Sequence, residues 1–308
     1  MQKLSKLHIL CLAVSFTVFF LYLIYLKTIE PTRETVMFFP IDTEVEFNEA
    51  TTKINVIKDE QSGYSLYWRV RSLLDRKAYL RQDLSILYKN GRMAGLLKDW
   101  HQYSTQVDQE KSIHERQSSI FKAISFHYAE LHPSSEIYKS AHEMTADHLY
   151  VIASPFSKFQ SFQRPSTKEQ KEWKLTLDNV TSSLQAETLE AVSAAYRIDT
   201  SMYRVFPLTS LNETKGEIFK HFSPSLQQEL MSKLWEGIYK NYILGITINK
   251  GPAAQSPIGS TEPLLLVRHD NREVLVITLT KAGTPVLLRQ RLPTHSSSIL
   301  RSISRYCS

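Results

Sequence analysis

Residues 84–97 read LSILYKNGRMAGLL, and this stretch does most to decide the fold. Asn90 and Gly91 stand between two largely apolar runs, and both residue types accept the positive φ angles that a two-residue hairpin turn requires. An Asn-Gly pair in this setting is the strongest short-range signal for a hairpin. The stretch therefore predicts two antiparallel strands, 84–88 and 92–97, joined by a tight turn.

Further strand candidates lie on both sides of this hairpin. Alternating polar and apolar residues predict half-buried strands, and short aromatic or β-branched runs predict buried ones. The candidates are residues 43–47, 54–57, 64–74, 119–128 and 148–152, with a helix predicted at 135–144. We interpret 62–153 as a β-rich α+β domain, preceded at 27–61 by a stalk with entry strands.

The second half of the chain begins with helix signals. Residues 154–167 contain two prolines and several serines, which predicts a linker. Ser166 and Glu169 have the spacing of a capping box, and Pro224 after Ser223 is typical of a first helical turn. Apolar residues then recur at helical spacing at Trp173, Leu177, Val180, Leu184, Leu189, Val192 and Tyr196, and again at Leu226, Leu230, Leu234 and Ile238.

The C-terminal segment reads as strands again. They are predicted at 242–248, 263–268, 272–280 and 284–291. A helical layer packed on a meander sheet accounts for this order of elements, so 168–308 is predicted to be a second subdomain. The fold class predicted for the whole chain is α+β.

The clearest functional signal lies near the N-terminus. The stretch from Leu7 to Leu26 reads LHILCLAVSFTVFFLYLIYL and contains no Asp, Glu, Lys or Arg. A helix rises ~1.5 Å per residue, so 20 residues span ~30 Å, the thickness of a bilayer's hydrocarbon core. Bulky residues follow where a signal peptide would carry its small-residue cleavage site. The stretch predicts an uncleaved transmembrane anchor rather than a cleaved signal peptide or a buried soluble helix.

The orientation of this anchor follows from its flanks. Lys3 and Lys6 precede it while Lys27 and Arg33 follow it, so the cationic bias is small. The short leading segment still favours a cytoplasmic N-terminus. We predict a cytoplasmic tail at 1–6, a single transmembrane helix at 7–26 that contacts the lipid bilayer, and an extracytoplasmic remainder in a bacterial cell envelope.

Composition narrows the class of protein. Lys and Arg number 37 against 31 Asp and Glu, and this excess is spread along the chain, so no nucleic-acid partner is predicted. Cys11 lies in the predicted anchor and Cys307 is penultimate, so no disulfide is predicted within the exported part. The aromatic content of 11%, which includes Trp68, Trp100, Trp173 and Trp235, favours core packing over a glycan groove.

Histidines form the first pattern that could carry chemistry. Six of the ten are His101, His114, His127, His132, His142 and His148. With Glu130 and Glu143 they could supply a metal site or a pH sensor. Neither HExxH nor CxxC is present, however, so scattered histidines are the favoured interpretation and no metal ligand is predicted.

A second pattern involves serine and lysine. Ser119 and Lys122 match SxxK, Tyr239 and Asn241 match YxN, and Lys281 begins a sequence close to KTG. The order resembles penicillin-binding proteins and serine β-lactamases. That resemblance implies that Ser119 attacks an acyl carbon, that Lys122 helps to take its proton, and that Lys281 holds a substrate carboxylate. Ser119 is predicted in a strand rather than a helix and residue 282 is Ala, so no catalytic residue is assigned.

No GxSxG, GxxxxGK[ST] or GxGxxG motif occurs, and no cofactor is predicted. By elimination, the chain is predicted to be a membrane-anchored extracytoplasmic protein with a binding or regulatory, non-catalytic role towards a membrane or envelope partner. In layout it is similar to the single-pass accessory proteins that tune sensor kinases or serve sporulation. The alternatives are an anchored envelope hydrolase or transferase of the serine acyl-enzyme type, and a metal or pH sensor built on the histidines.

Overall fold

A computed structural model describes residues 16, 19, 39–59, 63–246 and 254–293. The predicted tail at 1–6 and the predicted anchor at 7–26 therefore lie outside the described residues, except for Phe16 and Phe19, which are helical and exposed. In the part of the chain that is described, we find no helix long and apolar enough to cross a membrane. The elements described below all belong to the unit Met37–Ser308.

Antiparallel strands dominate this unit. The first sheet contains β1 (Phe47–Asp59), β2 (Gly63–Lys89), β3 (Arg92–Glu115), β4 (Ser119–Leu131), β5 (Lys139–Ile152) and β6 (Gln160–Phe162). The second contains β7 (Tyr203–Pro207), β8 (Leu264–Arg268), β9 (Glu273–Leu279) and β10 (Pro285–Arg291). The helices are α1 (Lys168–Tyr196), α2 (Leu211–Ile218) and α3 (Pro224–Ile238). The α+β prediction is confirmed at this level.

The hairpin of β2 and β3 organises the first sheet. Asn90 and Gly91 have φ angles of 50° and 78°, so the predicted turn is confirmed. β2 pairs with β1 along its first half and with β4 along its second half. The pairing with β3 is irregular between Leu73 and Ala78, where the two halves meet. Leu66 and Trp68 from the first half and Leu87 from the second half share one core, which also contains Phe121 of β4.

Strand β4 is covered on both faces. All of its residues except Lys122 and Glu130 are buried. One face lies on the shared core, and on the other Phe126 stacks against Trp235 of α3 with ring centroids 5.1 Å apart. A strand covered on both faces reads as a nearly continuous apolar run rather than as an alternation.

Helix α1 begins one residue later than predicted. Thr167, rather than Ser166, is the N-cap, and its side chain accepts the N–H of Gln170 at 3.1 Å. The amide oxygen of Gln170 accepts the N–H of Ser166 at 2.7 Å, so Gln170 replaces the predicted Glu169. The buried face holds Leu177 and Val192 from the predicted stripe, together with Thr181 and Thr188. Val180 and Tyr196, which belong to the same predicted stripe, are exposed. The start of α3 at Pro224 is confirmed.

Several other predicted elements need correction. Residues 139–144 of the predicted helix belong to strand β5, because pairing with β4 overrides their local preference. The predicted strand at 242–248 begins in a π-helical turn, Tyr239–Ile243, that extends α3. The strand predicted at 43–47 starts only at Phe47. The short strands β6 and β7 were not predicted, and β6 lies inside the predicted linker. The predicted domain boundaries stay a prediction.

Candidate functional site

A groove of about 460 Å³ lies between the β2–β3 turn and α1, and we call it the turn groove. The turn side consists of Lys89, Asn90, Arg92, Met93 and Ala94, and the helix side of Val180 and Leu184. Val180 is 48% exposed although it is apolar. The groove therefore has apolar walls, while Lys89 and Arg92 supply positive charge at the turn.

The turn is held by hydrogen bonds to two other segments of the chain and lies close to α1. The side-chain oxygen of Asn90 accepts the N–H of Ile120 of β4 at 2.9 Å. The carbonyl of Gly91 accepts the N–H of Glu262 at 2.7 Å. A Cβ atom on Gly91 would lie 3.2 Å from Leu184 of α1, so glycine also lets the helix approach closely. The turn groove is thus bordered by a rigid element.

A continuous row of rings, joined alternately by stacked and by edge-on contacts, lies beside the irregular part of the β2–β3 pairing, and we call it the aromatic ladder. Its members are Phe39, Tyr138, His132, Tyr79 and Tyr103. Successive ring centroids are 5.4, 4.7, 3.9 and 5.5 Å apart. Tyr103 is 66% exposed and Tyr138 is 43% exposed, so the ladder forms part of the surface.

Backbone and polar contacts fix the Phe39 end of the ladder. Ser140 donates its side-chain hydroxyl to the carbonyl of Phe39 at 2.7 Å and its N–H to the carbonyl of Pro40 at 2.9 Å. Lys139 donates to the carboxylate of Asp42 at 3.0 Å, and this hydrogen bond lowers the pKa of Asp42. The segment that leads into β1 is therefore attached to β5.

A buried charged group lies inside the first sheet. Arg81, Asp83 and His127 are all 0% exposed. Asp83 and His127 face each other across the β2–β4 ladder, with Oδ2 2.7 Å from Nδ1 of the imidazole. A guanidinium nitrogen of Arg81 lies 3.8 Å from the other oxygen of Asp83 and donates to Ser72 at 2.5 Å.

Hydroxyl groups extend this group across the sheet. Nε2 of His127 lies 2.8 Å from Oγ1 of Thr145, which lies 2.6 Å from Oγ1 of Thr52. Thr52 then contacts Ser125 at 2.5 Å, and Ser125 contacts Ser85 at 2.6 Å. We call these connected residues the polar chain; they are Ser85, Ser125, Thr52, Thr145, His127 and Asp83. Among its hydroxyls, only that of Thr145 belongs to a residue that is not buried.

A second buried polar cluster joins the two sheets. Tyr242 contacts Ser260 at 2.6 Å, and one oxygen of Glu262 accepts the N–H of Thr209 at 2.9 Å. The other oxygen of Glu262 is buried without a hydrogen-bond partner among the described residues, and the hydroxyl of Tyr88 is buried beside that of Tyr242. Burial raises the pKa of Tyr242 to about 12 and that of Tyr88 well above its usual value, so both phenols stay protonated.

The serine and lysine of the SxxK pattern are not brought together. Ser119 begins strand β4, and its hydroxyl donates to the carbonyl of Gln117 at 3.2 Å. Lys122 is three residues further along the same strand, so its side chain points to the opposite face. Lys281 lies in the turn between β9 and β10. Ser119 therefore does not sit at a helix start beside Lys122, as the resemblance implied.

The six histidines do not converge. Four of them have separate neighbours: His101 lies near Asp99, His132 near Glu130, His142 near Ser232, and His148 near the carbonyl of Gln163. His127 belongs to the polar chain, and His114 is exposed. Within the described ranges, no three His, Cys, Asp or Glu side chains are grouped so that they could hold a metal ion.

Comparison with known proteins gives no match. No family model fits the chain, and no curated protein or solved structure is significantly similar to it. The function must therefore be argued from the turn groove, the aromatic ladder and the polar chain.

Proposed function

We propose that this chain is a membrane-anchored extracytoplasmic binding protein with a regulatory role towards a membrane or cell-envelope partner. Residues 7–26 are its anchor, because a run of 20 uncharged and mostly apolar residues matches the hydrocarbon thickness. The observation that carries the binding role is the turn groove. It combines an exposed apolar wall on α1 with a turn that is hydrogen-bonded to two other segments of the chain.

The chemistry of the turn groove indicates the kind of partner segment that it takes. A groove of about 460 Å³ is within the range of pockets that bind ligands, ~300–1,000 Å³. Val180 and Leu184 offer contact to an apolar side chain. Lys89 is paired with Glu115, whereas Arg92 is exposed and donates to the carbonyl of Gly259 at 3.2 Å. We expect the partner to insert an apolar side chain into the turn groove. Beside it, the partner should carry a carboxylate that pairs with Arg92.

Photo-crosslinking in the native membrane tests this proposal. A photo-crosslinking amino acid at position 180 is expected to give one adduct with a membrane or envelope protein, identified by mass spectrometry. The matched control is position 175, because Leu175 is 63% exposed on the same helix but does not line the groove. Arg92→Glu is expected to reduce the adduct about tenfold, since charge reversal at a rim weakens association.

Two outcomes would count against the proposal. Equal adducts at positions 180 and 175, or an adduct that Arg92→Glu leaves unchanged, would remove the turn groove as the binding site. Release of the full chain from membranes by alkaline carbonate would remove the anchor.

The polar chain favours a second candidate function, an anchored envelope enzyme that transfers or hydrolyses acyl groups. Its order of hydroxyl, imidazole and carboxylate is that of a nucleophile, a base and a group that orients the base. In this arrangement the O–H of Thr145, which the chain of hydroxyls directs towards Thr52, turns to Nε2 of His127, and Oγ1 attacks as Nε2 takes the proton. Asp83 holds the imidazole in the required tautomer. The nucleophile here is Thr145 rather than the Ser119 of the sequence pattern.

A sulfonyl fluoride probe separates this candidate from the first. Thr145 would form an oxygen–sulfur bond while fluoride leaves, and the proton would pass to His127. We expect an adduct at Thr145 that is lost in Thr145→Val, falls about 100-fold or more in His127→Gln because the base is missing, and persists in Ser119→Ala. Absence of the adduct from the folded full-length chain would reject the acyl-transfer candidate and leave the binding protein.

A further inference from the structure

The aromatic ladder shares no residue with the turn groove or the polar chain. It gathers rings from four segments of the chain: Phe39 before β1, Tyr79 in β2, Tyr103 in β3, and the β4–β5 connection. Ile137, in that connection, is 51% exposed. Tyr103, Tyr138 and Ile137 thus expose large apolar side chains on one connected set of rings, which is a candidate for contact with a protein or a membrane.

The position of the ladder along the chain favours the membrane. Phe39 follows Leu26, the end of the proposed anchor, by 13 residues. Whatever its conformation, a segment of that length reaches at most ~45 Å, and a flexible one averages roughly 20 Å. The tether therefore keeps the Phe39 end of the ladder within reach of the bilayer that holds the anchor. A tethered surface meets its target at a high effective concentration, so weak contacts suffice.

The charges beside the ladder favour a neutral lipid surface. Lys139 is paired with Asp42, Arg76 with Asp75, and His132 with Glu130. The cations Lys139 and Arg76 are thus each matched by a neighbouring carboxylate, and the exposed Lys77 and Glu136 carry opposite charges, so these groups give no net preference for an anionic or a cationic partner. Tyrosine rings have an apolar body and a polar hydroxyl, which suits the boundary between lipid headgroups and acyl chains.

The backbone of Tyr103 supplies an independent observation. Its φ angle is 51°, in the left-handed region that a residue with a Cβ rarely enters. The fold tolerates this conformation at a residue whose large ring is mostly in solvent. A strained residue that displays an exposed ring is typical of a functional position.

We infer that the aromatic ladder rests in the headgroup region of the membrane that carries the anchor. This inference rests on the proposed function, because it requires residues 7–26 to be embedded in that membrane. Tyr103, Tyr138 and Ile137 enter the lipid boundary, and the ectodomain is thereby held in one orientation relative to the bilayer.

A spin label at position 137 of the full-length chain in phosphatidylcholine vesicles tests the inference. Cys11 and Cys307 are first changed to serine, and Ile137→Cys carries the label. Its collisions with a water-soluble nickel chelate are expected to be about fivefold fewer than those of a label at Phe156→Cys, because headgroups exclude the chelate. Phe156 is the matched control, as an aromatic residue that is 96% exposed outside the ladder.

A variant then links the protection to the ladder. Tyr103→Asn combined with Tyr138→Ser is expected to raise the nickel collisions at 137 to the level at 156. Asparagine accepts the left-handed conformation better than tyrosine, so Tm should not fall because of the backbone at 103.

The outcomes separate the two proposals. Equal collisions at 137 and 156 in a chain that stays in the vesicles would overturn the inference alone. Protection that grows with the protein-to-lipid ratio would also overturn it, because it would identify a second copy of the chain as the occupant. A chain that does not stay with the vesicles would overturn the anchor and the inference together.

Discussion

Asp83→Ala is expected to lower the free energy of unfolding by about 3–5 kcal/mol, because it leaves a buried cation without its carboxylate. Asp83, Arg81 and His127 are all 0% exposed. Burial lowers the pKa of the Arg81 guanidinium, and the carboxylate of Asp83 opposes that change. Without Asp83, the charge on Arg81 and the Nδ1 atom of His127 lose their common partner. Denaturant unfolding followed by circular dichroism measures the loss.

Two comparisons show whether burial is the cause. Asp108→Ala removes a carboxylate that pairs with Arg69 at 2.5 Å, but the side chain of Arg69 is 53% exposed. This variant is expected to cost less than about 1 kcal/mol, as surface ion pairs do. Adding Arg81→Met to Asp83→Ala is expected to restore at least about half of the loss, because it removes the unpaired charge. Equal losses for Asp83→Ala and Asp108→Ala would contradict the explanation.

The parts of the fold that local chemistry decides could be predicted from the sequence. Asn90 and Gly91 specify their turn because the backbone angles depend on those two residues. Pro224 specifies the start of α3 because its missing N–H has no partner in a first turn. Strands β8, β9 and β10 are also found close to their predicted positions, because each is a compact apolar run between turn residues.

The parts of the fold that the sequence did not predict depend on pairing between strands that are distant along the chain. Residues 75–83 read DRKAYLRQD, which resembles a solvated loop, yet they continue β2. They are held in the strand by β3 on one side from Ala78 onwards and by β4 on the other from Leu80 onwards. Charged residues in such a stretch are usually exposed. Arg81 and Asp83 are instead buried, because His127, 44 residues away, and the sheet around them supply partners.

The candidate sites could not be predicted either, because their residues come from strands that are distant along the chain. Asp83, Thr145 and Thr52 come from three different strands, and no spacing along the chain relates them. One signal was present: Asp83 and Ser85 occupy alternate positions that lead to the core residue Leu87, so they share its inward face.

The aromatic residues were predicted to pack in the core. That prediction is confirmed for Trp68 and Trp235, whereas Trp100 and the ladder residue Tyr103 are exposed.

Gly63→Ala tests the geometry at the open end of the long hairpin, and it is expected to cost more than about 3 kcal/mol. Gly63 has a φ angle of 132°, which side-chain-bearing residues rarely adopt. A Cβ atom there would lie 2.2 Å from the carbonyl oxygen of Glu115 in β3, so the two strands would have to separate. Fraying gives little relief, because the next residue, Tyr64, is fully buried and donates its hydroxyl to the carbonyl of Gln117 at 2.8 Å.

Gly283→Ala is the matched control for this effect. Gly283 also has a positive φ angle, 80°, but a Cβ atom there would meet no atom within 4 Å. Its substitution is expected to cost only about 1 kcal/mol, the penalty of the left-handed backbone. Urea unfolding of the two variants separates the steric clash from the backbone strain. If both variants lost the same stability, β2 and β3 would not approach each other at Gly63 as closely as the structure shows.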